Sequence, residues 1–273
     1  MFALLPRYTR PLPVHSLKPS YIPFSCARRL SSAMSLPGDV REFLEGYPRI
    51  PDEPSLNANL EFYKNARRCK PDNLLIDALH EQWKTDYQRL EYKHGYIQWL
   101  FPIQEYGMNF EAQPLQKHEI AAMKEDPKVL ERLERSYEMM LGFYGMEVVS
   151  KETGELRRAA NWEARYRNLV RAPHNYLRIS RILKCLSEFG LEQYNAGFLL
   201  FVLAEQSANQ QLNSQTIRSS MDRWWANCLR GEEERKWINE TIKKVRNQSD
   251  FIFTEDAYRD ALRRRQETGS FKD

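Results

Sequence analysis

A chain of 273 residues with 42% hydrophobic and 12% aromatic residues is long enough for a large core, and its 11 glycines are too few for a many-turned β fold. The net charge of +4 is uneven: residues 1–38 carry Arg7, Arg10, Lys18, Arg28 and Arg29 with no acid, so the remainder stands at −1, which argues against a general nucleic-acid binder. The longest apolar run, residues 196–204, falls well short of the roughly 20 residues that a membrane-spanning helix needs.

In chain order, residues 1–38 are rich in Ser, Arg and Pro, the composition of an organellar transit peptide, and Arg28 to Ser31 resembles a mitochondrial processing site. Pro6, Pro11, Pro13, Pro19 and Pro23 oppose the amphipathic helix that such a peptide needs, and Met34 offers a second start. Both readings stand at this point, and either way the segment is expected to be disordered. Residues 39–47 read as a helix stopped by Pro48, and 57–68 as another. Asp72 is the expected N-cap of a longer helix to about 93, with Leu75, Leu79, Trp83, Tyr87 and Leu90 at helical period.

Residues 94–102, HGYIQWLFP, come next. They are too bulky and apolar for an exposed linker, so the expectation is a short buried turn around which the flanking helices pack. Gly95 is expected to end the preceding helix in a left-handed cap, and Pro102 to bar helix just before it. After a loop over 103–114, helices are expected over 116–126 and from Pro127 through Tyr144. A small hairpin is expected within 147–156. Further helices follow over 159–170, 174–189, 191–211, 214–230 and 232–247. Thr254 caps a last helix, acidic in its first turn and basic in its last. The fold class is all-α: an irregular multi-helix globular domain over 39–273. Cys26, Cys69, Cys185 and Cys228 are widely spaced, as expected of free, mostly buried thiols.

HGYIQWLFP resembles the signature of the opioid growth factor receptor domain family. Asn59-Leu60 with Phe62-Tyr63, the segment YEMMLGFYG at 137–145 and HNYLRISRILK at 174–184 agree in the same order, so the resemblance runs over about 59–205, with a helical extension after it. The resemblance implies a non-enzymatic module with a peptide or protein ligand, the pentapeptide Met-enkephalin by family description. It also implies negative regulation of growth and a nuclear or peripheral-membrane place in the cell, with mitochondria the alternative if residues 1–38 act as a transit peptide. The long acidic or repetitive C-terminal extension of some members is not seen, so no role residing there is expected. The resemblance carries no proven contact residue.

The residues themselves offer one polar feature. On a helix from His174, a rotation of about 100° per residue puts Arg178 and Arg181 beside His174 as a narrow basic row, with Ile179, Ile182, Leu183 and Leu186 on an apolar face next to it. Asn175 is expected to serve the free N–H groups of the helix start. One reading is an anion site, because Arg grips phosphate or carboxylate bidentately. The preferred reading is structural, with Arg178 and Arg181 facing the acidic row Glu131, Glu134 and Glu138. His94 and Gln98 are the other candidates: a buried Gln must satisfy both ends of its amide, so Gln98 either stitches the central turn to neighbouring backbone or lines a pocket with Trp99 or His174. The candidate ligand-binding set is thus His94, Gln98, Trp99, His174, Asn175, Arg178 and Arg181. No nucleophile elbow, phosphate loop, dinucleotide fingerprint or HExxH motif occurs, so no catalytic residue, metal or cofactor is assigned.

Overall fold

Prolines, capping side chains and residues of positive φ cut the chain into short helices, and the computed structural model, which describes residues 36–272, contains thirteen of them. The first six are α1 (Gly38–Leu44), α2 (Ala58–Tyr63), α3 (Ile76–Trp83), α4 (Tyr87–Tyr92), α5 (Tyr96–Leu100) and α6 (Lys117–Lys124). Then come α7 (Pro127–Tyr144), an antiparallel hairpin of β1 (Met146–Val148) and β2 (Leu156–Arg158), α8 (Trp162–Arg171), α9 (His174–Glu188) and α10 (Glu192–Ser207). The chain closes with α11 (Gln215–Arg223), a 3-10 turn at Trp225–Asn227, α12 (Glu232–Asn247) and α13 (Glu255–Thr268). The all-α class holds among the described residues. The readings of residues 1–35, Cys26 included, lie outside them.

Several expectations need correction, and the helix expected over 57–68 already ends at Tyr63. Residues 72–93 are two helices, because the Asp86 carboxylate accepts from the Arg89 N–H at 2.9 Å and starts α4 afresh. Asp72 is no cap; its buried side chain pairs with Lys93 at 3.0 Å. The helix of 214–230 stops at Arg223, where the Asn227 amide takes the carbonyls of Asp222 and Arg223 and the Trp225 indole donates to the Tyr176 carbonyl at 3.1 Å. The central stretch is buried as expected, but it is the one-turn helix α5 rather than an irregular turn. Gly95 begins it with φ −68° instead of ending α4 in the left-handed region. Glycine is required there by close approach, since a Cβ would sit 2.7 Å from the Pro71 ring.

The core is one continuous cluster. α10, apolar on every side, runs through it against α9, α12, α13 and β2, as a helix without a polar face must. Trp99 packs on Phe62, and the Tyr63 hydroxyl donates to the Leu100 carbonyl, which locks α5 to α2. Glu119 of α6, fully buried, accepts from the N–H groups of Asn59 (2.9 Å) and Leu60 (3.1 Å), where the first turn of α2 needs an acceptor. Cys69, Cys185 and Cys228 are free and buried.

α3 meets α7 through a buried pair, His80 Nε2 and Ser136 Oγ at 2.8 Å. With the Ser136 hydroxyl donating to the Arg132 carbonyl, Nε2 is assigned as the ring nitrogen that donates to Ser136 Oγ. Burial first, then the Arg135 charge, push the His80 pKa down to about 4, against the opposing pull of Asp77. A folded-state pKa below the ordinary 6.5 means that the native chain binds fewer protons than the unfolded one between those values. Stability is therefore full above pH 6.5 and falls as the pH drops, by about 2 kcal/mol at pH 5. His80→Gln removes that component; urea midpoints at pH 7 and pH 5 read it, and an undiminished fall in the variant would sink the assignment to His80.

Candidate functional site

α9 has the periodicity expected of it. His174, Leu177, Arg178, Arg181 and Lys184 recur every three or four residues and form one wall of an open cleft. The opposite wall is built by His94, α5 and the segment that follows it: Ile97, Gln98 and Ile103 at the base, and Tyr106, Met108 and Phe110 at the rim. Asp39 and Trp224 complete the lining. The cavity measures about 670 Å³, within the range of small-ligand sites.

Five of the seven sequence candidates, His94, Gln98, His174, Arg178 and Arg181, line this cleft. Trp99 and Asn175 do not. Trp99, one helical step from Gln98, turns inward: it is 2% exposed and its indole donates to the Lys70 carbonyl at 3.0 Å. Asn175 is fully buried and caps no helix. Its amide meets Glu91 at 3.3 Å and its oxygen accepts from Arg178 at 3.1 Å.

Arg178 is 5% exposed and bound on all sides. Nη1 donates to the carbonyl of Leu90 (2.8 Å) and to Asn175; Nη2 donates to the carbonyl of Lys93 (2.7 Å) and to His94 Nδ1 (2.8 Å). A guanidinium at the carbonyl end of α4 is stabilised by the helix dipole, and both of its terminal nitrogens are already engaged. The expected partners Glu131, Glu134 and Glu138 are elsewhere. Glu134 and Glu138 hold Lys151 at 2.9 and 3.1 Å, beside the hairpin, and Glu131 is exposed. The arginines upstream are scattered too: Arg157 pairs with Glu147, Arg158 with Glu205, and Arg165 donates to the Phe143 carbonyl.

The other charges on the cleft wall divide sharply. Lys184 is held by Glu105 (2.7 Å) and Asp39 (3.0 Å), which keep its pKa raised although burial acts in the opposite direction. His174 pairs with Glu91 at 2.6 Å, and its ring stands edge-on to His94 at 5.5 Å. Burial and the Arg178 charge lower the His94 pKa, which suits its role as acceptor from that guanidinium. Arg181 is different. Nε donates to the Phe101 carbonyl at 2.8 Å, and among the described residues its two terminal nitrogens meet neither a hydrogen-bond acceptor nor a carboxylate. Burial lowers its pKa.

Gln98 stitches as expected. With its amide oriented by its neighbours it donates to the carbonyls of His94 (3.1 Å) and Gly95 (3.2 Å) and accepts from the Met108 N–H (3.2 Å), so it ties the rim to α5. The rim itself was missed by sequence reasoning. Tyr106, Met108, Phe110 and Leu177 are 77%, 85%, 86% and 74% exposed, an apolar concentration that a free surface rarely carries. The available signal was alternation: large apolar residues at 106, 108 and 110 of a loop with only Gly107 and Asn109 between them.

Comparison with known proteins agrees with the resemblance and widens it. The model of the opioid growth factor receptor (OGFr) conserved region matches residues 52–259, beyond the expected 59–205 at both ends. Opioid growth factor receptor of Mus musculus is 40% identical over 200 residues, 72% of this chain and 31% of that protein. Opioid growth factor receptor-like protein 1 of Mus musculus is 38% identical over 200 residues, 72% of this chain and 42% of that protein. The Homo sapiens opioid growth factor receptor is 40% identical over 180 residues, 66% of this chain and 26% of that protein. The chain thus spans less than half the length of these curated relatives. No solved structure matches it.

Proposed function

The chain belongs to the opioid growth factor receptor conserved-region family, and from that premise we propose that it is a non-enzymatic binding module whose cleft between α9 and residues 97–110 receives a short peptide segment. The observation that carries this reading is the exposed rim of Tyr106, Met108, Phe110 and Leu177 above a cavity of about 670 Å³. Apolar side chains in that arrangement offer aromatic and aliphatic side chains of a ligand a place to leave water. The names of the relatives make an opioid peptide the first ligand to try; the family resemblance makes Met-enkephalin the specific choice and negative regulation of growth the role to test. Nuclear or peripheral-membrane residence is part of the proposal, with mitochondria the alternative if residues 1–38 direct the chain there. No helix among the described residues is long and apolar enough to cross a membrane.

A nucleotide or phosphorylated metabolite is the second reading, favoured by the free nitrogens of Arg181. It is weaker because Arg178 and Lys184 are already committed to protein acceptors, which leaves one guanidinium against a dianion.

Calorimetric titration of the full chain with Met-enkephalin tests the first reading. Phe110→Ser and Leu177→Glu, both on exposed side chains, are expected to fold normally and to raise Kd about tenfold or more, the effect of leaving one large apolar side chain out of the contact. Binding unchanged in both variants would remove the cleft as the site, and heat from phosphorylated metabolites alone would favour the second reading.

A further inference from the structure

Arg181 explains what kind of ligand this cleft selects. Three strong cations stand on its wall, Arg178, Arg181 and Lys184, and two of them are neutralised by the protein itself. Arg178 is taken by the end of α4 and by His94 Nδ1, and Lys184 by Glu105 and Asp39. Glu105, the carboxylate that acts on Arg181, gives the same oxygen to the Tyr47 hydroxyl at 2.6 Å and to Lys184, and makes no ion pair with Arg181. The Nε contact to the Phe101 carbonyl fixes the guanidinium plane, so the free edge is the one carrying both terminal nitrogens. A part-buried cation with a fixed plane and an open two-nitrogen edge, in a cleft whose other strong charges are paired within the protein, lacks an acceptor among the described residues.

We infer that Arg181 is the carboxylate receptor of the cleft, so that the ligand is a peptide presenting a free carboxylate to Nη1 and Nη2 while its apolar side chains lie against Phe110, Met108 and Leu177. The two-pronged geometry matches the two oxygens of a carboxylate, and one charge meets one charge. A phosphate dianion fits poorly: Glu105 and Asp39 also line the cleft, and among the described lining residues Arg181 is left as a single uncommitted strong cation. The carboxylate belongs either to a chain terminus or to an acidic side chain, two sources with one chemistry. The inference rests on the peptide reading above and adds to it the group that determines affinity.

The test uses the full chain and three peptides: Met-enkephalin, its C-terminal amide, and that amide with the last residue replaced by glutamate. The expected result is binding of the acid at least tenfold tighter than the amide, a charge-assisted pair being worth at least that factor. Arg181→Gln retains a donor for the Phe101 carbonyl and should bind acid and amide alike, while Arg181→Lys recovers part of the preference. Recovery of affinity by the glutamate amide shows that a side-chain carboxylate serves as well as the terminus; no recovery restricts the site to the terminus. Equal binding of acid and amide, or a preference that survives in Arg181→Gln, overturns the inference and leaves the peptide reading intact. If no pentapeptide binds, the peptide reading fails for these ligands and Arg181 is tested alone. Its Nε resonance, in arginine-labelled protein, should shift saturably with N-acetylphenylalanine and stay fixed with N-acetylphenylalaninamide. No shift with the acid overturns the assignment of Arg181.

Discussion

Arg178→Ala lowers the stability of the chain by about 4 kcal/mol, the cost of leaving several buried acceptors without a donor. The side chain is 5% exposed, and its removal leaves the carbonyls of Leu90 and Lys93, the Asn175 oxygen and His94 Nδ1 without their donor. α4 has six residues, too few to stand without its capping partner, and Tyr96 at the start of α5 loses the cation 5.5 Å from its ring. For a domain of this size the loss corresponds to a fall in Tm of roughly 10 °C. Urea denaturation of both proteins measures it. A loss under about 1 kcal/mol would mean that water replaces the guanidinium and that the α4–α5–α9 junction is held by packing alone. A solvated arginine row would have cost little on this substitution. Weaker ligand binding in this variant would carry no information about contact, because the cleft wall itself is disturbed; Arg181 and the rim are the positions that report on the ligand.

The contrast between Arg178 and Arg181 marks how far the sequence was legible. The helical repeat from His174 correctly put both on one face, and Pro127 at the first turn of α7 and Thr254 before α13 marked those starts correctly. α12 has the expected bounds because local signals agree at both ends: three glutamates in its first turn, Lys244 and Arg246 in its last. What a repeat cannot reveal is which backbone lies opposite. That Arg178 meets the end of α4 depends on the break at Asp86, and the break depends on one capping bond that competes with a continuous apolar stripe. Trp99 and Gln98 are neighbours in sequence and were assigned to one site. A rotation of about 100° sends one into the core and the other to the cleft. The rim was hidden for a different reason: alternation shows that Tyr106, Met108 and Phe110 share one side of the loop but not whether that side is covered, and among the described residues they stand exposed.

Gly197→Ala in α10 gives the sharpest conflict between local and tertiary physics. Helix propensity alone favours Ala over an interior Gly by about 1 kcal/mol. Packing reverses the sign. A Cβ at Gly197 would lie 1.8 Å from the carbonyl oxygen of Gly154, and one at Gly154, which holds φ +76°, would lie 2.1 Å from the Gln193 carbonyl oxygen. The hairpin connection and α10 touch backbone to backbone, so no side-chain rotation relieves the overlap, and either the connection leaves α10 or the helix bends. The expected net loss is about 3 kcal/mol, the upper part of the usual range for overpacking. Gly142→Ala in α7 is the internal control, since its Cβ would meet nothing nearer than the Tyr87 hydroxyl at 3.6 Å, an ordinary contact. That variant should gain about 0.5–1 kcal/mol from propensity alone. Guanidinium denaturation of the two variants beside the parent chain compares them. Opposite signs are expected; a gain in both would mean that the hairpin connection moves aside freely and that the 146–158 hairpin is a loose appendage of the core.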